Sequence, residues 1–260
     1  MTVQRLATHA ATDTQDAATL VKRWEAQQEV YVAERESSFD LMLDIVEWLG
    51  LAPGRVVDLG CGPGSLASRA MRRWPEAEIL GVDLDPVLVE LGRRTLGERV
   101  TWVEADLREP SWGRLLGRDP VDAVISATAM HWLDVSHLRE LAKELATHLR
   151  PNGVFLNYDT MALEDDVPRL RALSEQFRTN LAERARISGG ADSWDGWWTM
   201  VRDQPWLADA VSERTRRFGT SVKSPAPSLE DYSNALYEAG FQEVATLKQV
   251  ANRRLLVAIR

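Results

Sequence analysis

The sequence has one cysteine in 260 residues, so it cannot form an intramolecular disulfide, and it has no run of 18 or more apolar residues to span a bilayer. Basic residues are also in deficit, 31 against 39 acids, and the net charge of −8 comes with no basic stripe that would attract a phosphate backbone. These absences exclude a disulfide scaffold and a helical membrane protein, and they argue against a nucleic-acid partner. A chain with these deficits is expected to be cytoplasmic and to work as a monomer or homodimer. Residues 1–16 are polar and Ala/Thr-rich and lack an apolar h-region, so they are expected to form a tail rather than a signal peptide or anchor. Tyrosine (4) and phenylalanine (5) are scarce, whereas tryptophan is abundant at ten. With 45% apolar residues the chain has ample material for a large core.

Hydrophobic periodicity divides the chain into alternating elements. Residues 17–49 read as helical, with Leu41, Ile45, Trp48 and Leu49 at the spacing of one helix face. A short apolar strand, 55–59, opens into Gly60-Cys61-Gly62-Pro63-Gly64, and the helix that follows is stopped by Pro75. Strand 78–83 and helix 86–96 repeat the unit, with Pro86 suited to a first helical turn. Further strands are expected at 100–105, 121–126 and 154–158, with a helix at 135–149 before the last of them.

This alternation predicts a doubly wound, Rossmann-like α/β fold built on a mostly parallel sheet. It breaks after Asp159. Residues 161–224 contain no strand pattern and hold four tryptophans, as expected for a helical lid. A helix at 229–239 and an antiparallel hairpin, 243–249 and 254–259, would bring the sheet to seven strands. The expected units are therefore an N-terminal tail with helices (1–50), a nucleotide-binding core (51–160), the lid (161–224), and a final helix and hairpin (225–260).

The glycine loop is the most informative stretch. Gly60, Gly62 and Gly64 allow a sharp strand-to-helix turn and let a ligand approach the backbone closely. Their G-x-G-x-G spacing differs from the G-x-G-x-x-G of dinucleotide enzymes, which disfavours a nicotinamide cofactor. Asp83 ends the second strand, where a carboxylate can accept both hydroxyls of a ribose, and Asp106 follows the third, where it could accept an adenine amino group. Either alone could be an ordinary loop aspartate. Acidic residues at successive strand ends beside a glycine loop point to a nucleoside-bearing cofactor.

Residues 57–64, Val-Asp-Leu-Gly-Cys-Gly-Pro-Gly, resemble the first motif of the class I S-adenosylmethionine-dependent methyltransferases. Gly81-Val-Asp-Leu-Asp-Pro86 resembles the second, Glu104-Ala-Asp-Leu107 the third, and residues 149–155 the segment that leads into the fifth strand. The resemblance implies S-adenosylmethionine as cofactor, with S-adenosylhomocysteine as product. It implies a cofactor site made of Asp58, Gly60, Cys61, Gly62, Gly64, Asp83, Leu84, Asp106, Leu107 and Ser126. Trp24, Tyr31 and Arg35 before an apolar helix, with Ser126-Ala-Thr-Ala-Met-His-Trp-Leu133 after the fourth strand, resemble the small-molecule branch typified by trans-aconitate methyltransferase. That likeness implies that Arg35 meets the cofactor carboxylate and that Tyr31 closes over the methionine chain.

Methyl transfer from a sulfonium needs an aligned nucleophile and, for a hydroxyl, removal of a proton. His131 lies in the loop after the fourth strand and is the expected general base or substrate-orienting group. Cys61 is read as packing. The sequence shows no metal site, since one cysteine excludes a thiolate cluster. Trp132, Trp194, Trp197 and Trp198 are expected to line the acceptor pocket, although residues 197 and 198 diverge by about 100° on a helix. The expected activity is methylation, at a hydroxyl or carboxylate oxygen, of a bulky small molecule in specialised metabolism. The alternative is a cofactor-binding protein that acts as a non-methylating catalyst or regulator.

Overall fold

The computed structural model describes residues 3–109, 112–163, 166–188, 191–219 and 225–260. Two helices, α1 (Val3–Tyr31) and α2 (Arg35–Trp48), precede strand β1 (Arg55–Leu59) and helix α3 (Ser65–Arg73). Then come β2 (Glu78–Asp83), α4 (Pro86–Leu96), β3 (Thr101–Glu104), β4 (Val121–Ala127), α5 (Val135–His148) and β5 (Leu149–Thr160). The insertion comprises α6 (Pro168–Ser188), α7 (Trp194–Arg202) and α8 (Ala208–Phe218). Helix α9 (Leu229–Glu238) and strands β6 (Glu243–Val250) and β7 (Arg253–Ile259) end the chain. The seven strands run in the order β3-β2-β1-β4-β5-β7-β6, and β7 lies antiparallel to both its neighbours.

Side-chain alternation along the strands makes the two faces. In β4, Val124 joins the cluster under α5 and α9, whereas its neighbours Ala123 and Ile125 join the cluster under α2 and α3. The switch in strand order falls between β1 and β4, so the loops after these strands open the crevice where ligands bind in such sheets.

The insertion packs across α1 and α4. Trp24, Val87, Leu91, Trp197 and Trp198 form a third cluster, and the Trp197 indole N–H donates to the Leu20 carbonyl at 3.0 Å. Arg214 of α8 lies 3.7 Å from the Trp198 ring centroid and bonds Asp85, the N-cap of α4, at 2.6 Å. Arg217 donates to the Leu84 carbonyl at 2.8 Å. The insertion is thereby fastened beside Asp83.

Several sequence expectations need correction. Residues 3–16 are not a tail but the first half of α1, in which Asp13 reaches Arg94 at 3.5 Å. The helical span 17–49 is two helices that break before Glu34, whose φ is 50°. Trp48 is 72% exposed rather than packed, because it stands about 200° around α2 from the buried Val46. Parts of the expected lid, residues 164–165, 189–190 and 220–224, lie outside the described residues. None of the described helices is long and apolar enough to cross a membrane.

Candidate active site

The glycine loop is held open for close contact. Gly60 has φ 67°, and a Cβ there would lie 2.1 Å from Ala129 Cβ, so the loop after β4 seats directly on it. Gly64, φ 86°, caps α3 against Trp102, which a Cβ would meet at 2.9 Å. Asp83 ties the loop to β2, since its two carboxylate oxygens accept the N–H groups of Gly62 at 2.7 Å and Asp85 at 2.8 Å. Each oxygen retains a second lone pair for a ligand hydroxyl. Burial pushes the Asp83 carboxyl up to about 6.

Asp58 is buried and accepts one bond, from the Ala67 N–H at 2.9 Å, and burial with the nearby Asp83 raises its carboxyl to about 7. A buried acid with one hydrogen bond, Asp58, and a part-buried one, Asp83, beside a glycine loop suit a ligand that carries positive charge and a diol. A small pocket bounded by Asp58, Cys61, Gly62 and Ser65 on one side and Trp24, Gln28, Arg35 and Phe39 on the other lies between this loop and the N-terminal helices.

The loop after β4 carries backbone strain, since Thr128, a β-branched residue, holds φ 57°. Three residues on, the His131 N–H and ring Nδ1 both meet Asp159 at the end of β5, at 3.0 and 2.8 Å. Asp159 is fully buried and also accepts the Thr160 N–H at 2.7 Å. Burial alone would raise its carboxyl, but the charge of His131 and its bond, with help from Arg253, hold it below the usual range. An ionised Asp159 can only accept, so Nδ1 donates to it, and in the uncharged imidazole the nitrogen without a hydrogen is Nε2, placed as a base. The Trp132 ring lies 5.3 Å from the imidazole and is exposed. Beneath the dyad Asn157 and Tyr232 are buried, with the Asn157 amide and Tyr232 hydroxyl lacking well-formed hydrogen bonds.

The structure brings together Asp58, Gly60, Gly62, Gly64, Asp83 and Arg35 around the loop, with His131 and Trp132 at the adjoining strand end. Tyr31 ends α1 and is part-exposed, Leu84 follows Asp83, and Leu107 packs partly buried on the core under α5. Three residues of the expected cofactor set have other partners. The Ser126 hydroxyl is buried and donates to the Leu59 carbonyl at 2.8 Å, which locks β4 to β1. Asp106 pairs with Arg108 at 2.6 Å within its own loop, and Arg35 pairs with Glu25. Burial raises the Cys61 thiol well above its ordinary value, and its sulfur would lie 3.0 Å from a Cβ on Gly81, so it is a packing residue.

The insertion tryptophans do not join His131. Trp197 and Trp198 are buried with Trp24 against α1 and α4, and Trp194 packs on that group half-exposed, 5.8 Å from Trp24. Sequence reasoning missed Asp159, Glu25, Gln28 and Phe39. Only Asp159 left a trace, as the acid closing the last regular strand.

The family described as methyltransferase domain matches residues 56–153, the span from β1 through the start of β5 that carries this loop and dyad histidine. That stretch is a methyltransferase domain, similar to the class I S-adenosylmethionine-dependent enzymes. It is similar to trans-aconitate 2-methyltransferase of Azoarcus sp., 40% identical over 109 residues covering 40% of each chain. Trans-aconitate 2-methyltransferase of Methylobacterium nodulans is 35% identical over 158 residues, covering 58% of this chain and 57% of that one. The chain thus spans about half the length of the curated relatives it matches. Among solved structures, an amino pentose methyltransferase from Micromonospora echinaspora shares the fold with a TM-score of 0.59 at 17% identity, covering 91% of this chain and 96% of that one. The methyltransferase fold accordingly extends through the terminal hairpin, beyond the matched domain.

Proposed function

We propose that this chain is an S-adenosylmethionine-dependent O-methyltransferase whose acceptor is a bulky small-molecule hydroxyl. The observation that carries the reading is the His131–Asp159 dyad at the strand end adjoining the glycine loop. Asp58, the glycines, Asp83 and Arg35 would hold the cofactor, matching its positive charges, ribose diol and carboxylate in turn. The bound cofactor supplies an activated methyl group on a sulfonium. Asp159 fixes the imidazole with Nε2 outward, so His131 can take the proton of an acceptor hydroxyl as its oxygen becomes a nucleophile. Trp132 offers an exposed aromatic face for an apolar acceptor.

The names of the relatives favour a second reading, a carboxylate acceptor, which is already ionised and needs no base. Transfer of labelled methyl from S-adenosylmethionine to a panel of phenols, alcohols and carboxylic acids, trans-aconitate among them, separates the two. Label on a phenol or alcohol is the expected result, and label on carboxylates alone selects the second reading. Cofactor binding with no transfer to any member of the panel would favour a regulatory or non-methylating protein.

A further inference from the structure

The carboxylate of Glu25, on α1, occupies the side of the pocket that Arg35 commands. It accepts from both terminal nitrogens of Arg35, at 3.0 and 3.1 Å, from Arg69 at 3.1 Å, and from the Ser65 hydroxyl at the start of α3. The Arg35 side chain is only 4% exposed and Glu25 is 27% exposed, so the pair is the inner part of a network whose outer acid is Glu36. Burial raises the Glu25 carboxyl, but its bonds to Arg35 and Ser65 and the charge of Arg69 bring it below the usual range. It is therefore ionised.

A buried guanidinium fork with two parallel N–H groups turned to one partner is a carboxylate receptor. Here the receptor is filled from within the chain, by a residue next to Trp24, and Trp24, Arg35 and Ser65 all line the pocket beside the glycine loop. The charges leave no room for a second acid. Arg35 and Arg69 supply two positive charges that Glu25 and Glu36 already balance, and Glu29 adds a third acid beside Glu36, its carboxyl raised by burial and by that neighbour. An incoming carboxylate would face Glu25 at close range, and the two like charges would compete for the same fork of Arg35.

Resting on the cofactor site argued above, we propose that Glu25 is an internal competitor for the carboxylate of the cofactor. In the closed arrangement α1 fastens over the glycine loop through Glu25, and loading the cofactor exchanges one carboxylate for another on Arg35. Helix α1 is also stapled to the insertion through Trp24 and Trp197, 4.9 Å between ring centroids, so α7 packs directly on the helix that carries Glu25. Glu25 is in this sense a gate on the cofactor, outside the reaction itself.

The test compares two ligands on native protein and Glu25→Gln by calorimetric titration. S-adenosylhomocysteine carries the carboxylate, and 5′-methylthioadenosine has the same nucleoside without it. Removing the competing charge should tighten S-adenosylhomocysteine by about tenfold and leave methylthioadenosine within about twofold. Equal or weaker binding of S-adenosylhomocysteine by Glu25→Gln would overturn the proposal, as would equal tightening of both ligands. If native protein binds neither ligand, the cofactor site itself is misassigned, a failure distinct from either. Should Glu25→Gln lose its folded circular-dichroism signal, Glu25→Ala, which also removes the charge, serves in its place with the same two criteria.

Discussion

His131→Ala should lower kcat for a hydroxyl acceptor by about 10²–10⁴-fold, the usual contribution of a positioned general base, with cofactor affinity unchanged. Asp159→Asn should cause a loss of the same order. An amide at position 159 would offer its N–H toward Nδ1, stabilising the tautomer that places the hydrogen on Nε2 and blinds the base. Because the two residues act as one unit, the double variant should be little worse than His131→Ala alone. Single-turnover rates with saturating labelled cofactor measure this directly. A His131→Ala variant that keeps full turnover on a phenol would refute a base at this position, whereas unchanged turnover on a carboxylate is what an ionised acceptor requires.

Trp197→Ala should destabilise the chain by about 3–5 kcal/mol in denaturant unfolding, the range for truncating a large buried aromatic. Its ring is fully buried between Trp24 and Trp198, each 4.9 Å away, and its N–H is committed to the Leu20 carbonyl. A residue that walled the acceptor pocket would behave differently, with a raised KM and nearly unchanged unfolding. The result therefore decides whether this tryptophan belongs to the packing of α1, α4 and α7 or to the acceptor.

The sequence exposed whatever is local and lost whatever depends on distant pairing. The glycine loop, Asp83 at its strand end and the alternation of strands are short-range patterns, and each lies where the periodicity puts it. Asp159 was legible only as the end of a strand. Its value comes from meeting His131 across 28 residues, through the adjacent pairing of β4 and β5. Glu25 reads in the sequence as one more charge on a polar helix, and only the fold of α1 against α2 and α3 makes it the partner of Arg35 and Arg69. The expectation that the insertion tryptophans line the acceptor pocket fails for want of long-range information. Spacing shows that Trp197 and Trp198 point different ways, whereas which neighbour each meets is set by the packing of α7 on α1 and α4. Ser126 shows the converse error: a hydroxyl at a ligand-facing strand end was spent on a neighbouring strand's carbonyl.

The most direct test is titration of S-adenosylmethionine into native protein and into Asp83→Ala. Asp83 braces the glycine loop through Gly62 and, in the proposed cofactor site, would also accept from the ribose, so its loss should remove two supports at once. One cofactor should bind per native chain, and Asp83→Ala should bind it about 1–3 kcal/mol more weakly. No binding by native protein at millimolar cofactor, or equal affinity in the variant, would contradict a cofactor site at the glycine loop.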